Sequence, residues 1–463
     1  MRHQTEQGGE GLEGNSRPRS SSRVSRRSLL GYAGLAAGTV AVPTMIGTGR
    51  AFGNGLDGHA SHSGDVFGDG AYPVGFWWPP PPAETTDRRY AEIADAGFTF
   101  VTGGNGVTDL DLSTKLLRAA GANRLHAIVE DSRITGLVDQ PRDDIRDVIK
   151  QTVDDYRPFG AFRGLGIKDE PGASQFEQLG KIIKTLREVD RGVLGYANML
   201  PTYASAAQLG VPTYPEYVAQ FANTLDPELL SYDHYMLLAP RGVREDYFLN
   251  WADVRDQSLR SGIPSWVFIL ACEHMVYRLP TEAELRWQIN VSLIYGCKGI
   301  QYFTYWTPSG SDFTQALVSK DGGLTPLYYS AQRINNDYLR PVGRQLLGLT
   351  SESATHANED PLPDGATAFT GDDLVSDTSG DAVLLGRFTD GRHDRQRWLL
   401  VANRSFDSVA RAELRLRDRV SSVSEYDPGT DCYRPLRHRN KSLSVELAAG
   451  SARLYHVHTN AHR

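Results

Sequence analysis

Three short apolar runs in this sequence end in acids that packing alone gives no reason to place there. "LGIKDEP" ends in Asp169 and Glu170, "LLSYDHYM" carries Asp233 and His234, and "WVFILACEH" ends in Glu273 and His274. An ionised carboxylate at the edge of a core needs either a partner or a chemical task. Two adjacent acids such as Asp169 and Glu170 also repel each other and resist burial. Carboxyl groups brought together from separate runs are the parts of general acid/base and nucleophilic catalysis. Asn198 closes another run, and Trp77, Trp78, Tyr305 and Trp306 close two more. Their rings offer flat apolar faces at small entropic cost, although any one of them serves core packing equally well. Alternation along a strand lets only one member of each adjacent pair face the same way.

The elements that would position these residues follow a simple rhythm. Eight β-rich runs start at Tyr72, Phe98, Arg124, Phe162, Gly192, Leu229, Ser265 and Lys298, and amphipathic helical patterns separate them. Ser174 with Glu177, and Thr281 with Glu284, have the spacing of capping boxes ahead of two of these helices, and Gly296 marks an end. An eighth helix is expected from Pro326. Eight consecutive βα units over residues 71–350 predict a (β/α)8 TIM barrel, an α/β fold of about 250 residues. From residue 355 to 463, runs such as "AVLLGRF", "RWLLVANR" and "SLSVELA" alternate apolar and polar positions between Gly, Asp and Asn turns. They predict a C-terminal antiparallel β-sandwich. The polar residues singled out above all fall at the C-terminal ends of the barrel runs, where barrel enzymes build their sites.

A glutamate followed by proline after the fourth strand, and a second glutamate ending the seventh, resemble the clan of retaining (β/α)8-barrel glycoside hydrolases. The resemblance covers residues 72 to about 348. It implies that Glu170 is the general acid/base and Glu273 the nucleophile, and that the substrate is a carbohydrate or polysaccharide. Acetal cleavage with retention needs a protonated acid to assist the leaving oxygen and a carboxylate about 5 Å away to trap the oxocarbenium-like centre. Asp169, beside Glu170, would raise the acid's pKa by like-charge repulsion. Many clan members carry asparagine where this chain has Asp169, an acceptor suited to a different sugar or 2-substituent. Tyr235 resembles the sixth-strand tyrosine that orients the nucleophile. Asn198, His274, Trp77, Trp78, Tyr305 and Trp306 complete the expected substrate-binding set. A structural reading of the two glutamates would instead pair them with Lys168, Arg278 or Arg133.

Among the 463 residues, 40% are hydrophobic, 23% are charged and the formal net charge is −7, with no basic cluster beyond the N-terminus. Nucleic acid is therefore not an expected partner. Ser25-Arg26-Arg27-Ser28-Leu29-Leu30 precedes a weakly apolar run, the layout of a twin-arginine export signal over residues 1–51, with cleavage expected after Ala51. Pro43 and the small residues of that run argue against a transmembrane anchor, so no stable membrane insertion is expected after cleavage. Residues 52–70 read as a disordered spacer. Cys272 and Cys297 are expected at opposite ends of neighbouring parallel strands, too far apart for a bridge. No phosphate-binding loop or dinucleotide fingerprint follows any strand, so no cofactor is implied. Asp233, His234, Glu273 and His274 include metal-ligand types. Metal-dependent barrel hydrolases, however, bring a His-x-His pair at the first strand, which "GFWWPPPP" lacks. The alternatives to an exported glycosidase are a catalytically inactive carbohydrate-binding barrel and, third, a metal-dependent hydrolase.

Overall fold

A computed structural model describes residues 64–437 and 441–460; the expected export signal, its cleavage site and most of the spacer lie outside them. All eight sequence runs form strands: β1 Val74–Trp77, β2 Phe100–Thr102, β3 His126–Glu130, β4 Phe162–Asp169, β5 Leu194–Met199, β6 Leu230–Asp233, β7 Ser265–Leu270 and β8 Gly299–Phe303. They pair in parallel in the order β1-β8-β7-β6-β5-β4-β3-β2. The ring closes where the Thr99 N–H donates to the Val74 carbonyl at 2.8 Å and the Thr102 hydroxyl to the Phe76 carbonyl at 2.8 Å.

Helices alternate with the strands: α1 Asp87–Asp95, α2 Leu110–Ala122, α3 Ile145–Tyr156, α4 Phe176–Val189, α5 Tyr214–Leu225, α6 Tyr247–Ser261, α7 Glu282–Ile294 and α8 Pro326–Ile334. A π turn at Asn335–Leu339 carries α8 onward into a last helical segment, Arg340–Leu347. The Thr281 and Glu284 capping box forms: the Thr281 N–H donates to Glu284 at 2.8 Å, and the Glu284 N–H to the Thr281 hydroxyl at 3.3 Å. The Ser174 and Glu177 box does not form. A 3-10 turn at Ala173–Gln175 precedes α4 and moves the N-cap to Gln175, and Gly172 N–H is bound by the Gln175 side chain instead.

The bottom of the barrel is sealed by residues that the sequence placed in the spacer. Phe67 packs against Phe100 and Trp266, with ring centroids 5.4 and 5.6 Å away, and Asp69 meets His126 at 2.7 Å. Residues 64–70 thus belong to the fold, because the open N-terminal face of the barrel offers Phe67 an apolar seat.

The C-terminal domain starts at once after the last helical segment. Its strands are β9 Thr350–Ala357, β10 Val375–Gly380, β11 Val383–Thr389, β12 Gln396–Asn403, β13 Ala410–Leu416, β14 Val420–Asp427, β15 Cys432–Leu436, β16 Ser442–Leu447 and β17 Ala452–Thr459. A six-stranded sheet in the order β9-β11-β12-β17-β14-β15 lies on a three-stranded sheet, β10-β13-β16, with every pairing antiparallel. The expected sandwich is present. Its larger sheet buries both faces: Leu385, Leu399 and Val401 point into the sandwich core, while Leu384, Leu400 and Leu454 join the core of the barrel.

Candidate active site

The strand ends bring an acidic wall and an aromatic wall to the C-terminal mouth. The acidic wall is built from β3 to β6. Asn198, at the end of β5, is only 4% exposed, and its amide is fully engaged. Its Oδ1 accepts from the Ser231 hydroxyl at 2.9 Å, which directs its Nδ2 toward Asp169 Oδ1 at 3.3 Å and Asp233 Oδ1 at 3.1 Å. Gln301 and Tyr196 extend this chain down the barrel lumen, the Gln301 amide donating to the Tyr196 and Ser231 hydroxyls at 3.0 Å each. Asn198, expected to bind substrate, holds Asp169 and Asp233 in place.

Asp233 is 4% exposed. Burial, reinforced by the charge of Asp169, holds its carboxyl well above the usual range. Asp169, the last residue of β4, is open to solvent at the mouth. Desolvation pushes its carboxyl up, against the opposing pull of the Asn198 amide and the Lys168 ammonium.

Glu170 follows the last residue of β4 in a left-handed conformation, φ +46°, and its N–H donates to the Asn198 carbonyl at 2.8 Å. A non-glycine residue pays about 1 kcal/mol for that backbone, and such strain concentrates at functional strand ends. Glu273 lies across the barrel, two residues beyond Ala271, in a short pairing with Phe313–Gln315. The three bases that a structural reading would pair with these glutamates each bind another acid. Lys168 binds Asp139 at 2.8 Å, Arg278 binds Glu284, and Arg133 binds Asp131 and Asp155.

The aromatic wall differs from expectation in its members. Trp77 and Trp78 are both half-buried, their rings 4.5 Å apart, although strand alternation should have turned one away. Trp78 lies past the end of β1 with φ +69°, which breaks the alternation. Tyr305, 1% exposed, stacks on Phe76 at 4.4 Å, and Trp306, 4% exposed, lies under the Arg89 guanidinium. Both belong to packing because β8 ends at Phe303, before them. Phe303 takes the place expected of them, half-buried and parallel to Trp77 at 5.3 Å. Tyr235 packs on Phe303 at 4.7 Å and edge-on to His274 at 5.7 Å. His274 is buried and stacks on Phe313 at 5.3 Å. His234, by contrast, turns outward to Asn250 Oδ1 at 2.9 Å.

Sequence reasoning missed Glu130, which ends β3 on the acidic wall. The signal was available: its run ends in an acid as the fourth and seventh do, and glycines stand just past β2, at Gly103, and at the facing position of β4, at Gly166. Among the described residues, no group of three His, Cys, Asp or Glu side chains is arranged to hold a metal ion. No helix among them is long and apolar enough to cross a membrane.

No protein-family model and no curated protein matches the chain. Solved structures do. A glycoside hydrolase family 5 structure from Bacteroides vulgatus aligns with a TM-score of 0.52 at 11% identity, covering 84% of this chain and 89% of its own. Another, described as a glycoside hydrolase, aligns with a TM-score of 0.50 at 10% identity, covering 85% of this chain and 93% of its own. At such identities the likeness establishes the fold, a TIM barrel with an appended β-domain.

Proposed function

We propose that the protein is an exported retaining glycoside hydrolase, with Glu170 as general acid/base and Glu273 as nucleophile. The observation that carries this reading is that one glutamate follows the end of β4 and another stands just beyond the end of β7, both at the C-terminal mouth of the barrel. Glycoside hydrolases among the structures of the same fold support it. The mouth also suits a sugar: Trp77 and Phe303 offer a ring face for its apolar side, and Asp169 accepts from a hydroxyl at its edge. In the reaction Glu170 protonates the leaving oxygen as Glu273 attacks the anomeric carbon; Glu170 then takes a proton from the water that releases the sugar.

Nitrophenyl glycosides and azide test the two roles. Glu273→Gln is expected to be nearly inactive on every substrate, because no covalent intermediate forms. Glu170→Ala should retain the first step on activated leaving groups and stall at the second, which azide then accelerates to give a glycosyl azide of retained configuration. Azide rescue of Glu273→Gln with inversion, and none for Glu170→Ala, would reverse the roles. Near-wild-type hydrolysis by both variants would remove the reading.

Export rests on Arg26 and Arg27 ahead of a weakly apolar run. Replacing both with Lys should abolish export of a reporter fused to residues 1–70, and unchanged export would sink the twin-arginine assignment.

A further inference from the structure

The Glu130 side chain occupies room that three glycines leave for it. A Cβ on Gly103 would stand 2.4 Å from the Glu130 backbone nitrogen and 2.9 Å from its Cβ, one on Gly166 would stand 2.9 Å from its Cγ, and one on Gly104 would stand 3.2 Å from its Oε2. Gly166 is also the residue paired with Glu130 across β3 and β4. Two flanking strands have thus given up side chains where this carboxyl rises to the mouth. No base meets it: among the described residues it forms no ion pair, and the nearby Arg133 and Lys168 are held by Asp131, Asp155 and Asp139. On β2 and its loop, Gly103 and Gly104 carry no charge, and the Asn105 amide donates to the Pro79 carbonyl at 2.7 Å. On its own strand end, Asp131 turns outward to Arg133 and to the Tyr156 hydroxyl at 2.6 Å. On β4, the charge that Glu130 meets is that of Asp169.

We propose that Glu130 is a positioning residue for the acidic wall, its carboxyl admitted to the mouth beside Asp169 by Gly103, Gly104 and Gly166 so that the two carboxylates together set the charge that the acid of the proposed reaction meets. The inference rests on the glycosidase reading of the mouth. Desolvation, with the Asp169 charge adding to it, pushes the carboxyl up to about 7. It is therefore neutral in mild acid and charged above neutrality. Once ionised, it opposes loss of further protons from the acids beside it.

Two readouts with Glu130→Gln and Glu130→Asp test this. In the first, the alkaline limb of the pH profile of kcat/KM on a nitrophenyl glycoside should move to lower pH in Glu130→Gln, by about one unit. Glu130→Asp, which keeps a titrating group, should restore part of the shift. A loss of equal proportion at every pH, or no displacement of the limb, overturns the proposal. The second readout needs no activity. A carboxyl raised in the folded state costs stability as pH rises from about 4.5 to about 7, because the unfolded chain ionises first. Urea unfolding of the wild type should show that loss, and Glu130→Gln should lack it. Equal slopes in the two proteins overturn the placement of the carboxyl. A wild type that shows this slope but hydrolyses no glycoside removes the reaction, and with it the role, while leaving the placement standing.

Discussion

The His274 ring lies between Tyr277 and Phe313, with centroids 4.9 and 5.3 Å away, and its Nδ1 is 3.3 Å from the Cys272 carbonyl. Burial lowers its pKa to about 4, so one residue past the proposed nucleophile stands an imidazole that is neutral at neutral pH. Its folded pKa lies below the unfolded value near 6.5, so the unfolded chain binds a proton that the folded one refuses. The stability assigned to this group falls as pH drops through that window. His274→Phe keeps the stacking and removes the titration. Between pH 7 and pH 5 the variant should lose about 2 kcal/mol less unfolding free energy in urea than the wild type. Parallel pH dependence of the two proteins would show that the ring stays solvated. At this scale, residue types at strand ends were legible in the sequence, and side-chain direction was not. Which end of the Asn198 amide faces the acids is fixed by Ser231, which comes from another strand.

At the scale of elements, strands with a buried apolar face were readable, the edge strand β16 included, and polar edges were not. All eight barrel runs and six of the sandwich strands follow from apolar residues packed between neighbours. The strands that gave no signal, β9, β10 and β15, are all at sheet margins. "TSESATHA" and "VSDTSG" are polar because an edge strand packs on one neighbour only, and "CYRPL" carries a proline, which an edge tolerates. Helix α7 is a converse case. "EAELRWQINVSLI" has no polar face because barrel and sandwich cover it together, and from Glu284 to Ile294 all but Arg286 are buried. The capping box at Thr281 formed because nothing precedes it but an extended loop. The one expected at Ser174 was displaced when the chain spent those residues on a 3-10 turn after Pro171.

The sequence of β11 and β12 tells against treating the sandwich as a detachable module. "VLLGRFT" and "QRWLLVAN" hold adjacent apolar residues, which a sheet with one wet face does not need. One set fills the sandwich, and the other meets the barrel. Polar groups are committed across the same junction: Trp287 Nε1 donates to the Arg404 carbonyl at 2.8 Å, and Asn290 Nδ2 to the Gly450 carbonyl at 2.8 Å. Gly450 lies so close to α7 that a Cβ there would be 2.1 Å from the Ala283 carbonyl. Cutting the chain after Leu349 would uncover Trp287 and its apolar neighbours and leave the buried Asn290 amide without its partner, each a loss of roughly 1–3 kcal/mol or more against a total stability of only about 5–15. The full chain should therefore unfold in one cooperative transition. Residues 64–349 alone should bind a hydrophobic dye and lack the near-ultraviolet circular dichroism of packed aromatics. They should lose activity although Glu130, Glu170 and Glu273 are all retained. A shortened barrel that stays soluble, melts cooperatively and hydrolyses substrate at the wild-type rate would mean that the junction is a contact between two independent domains. The apolar second faces of β11 and β12 would then need another explanation.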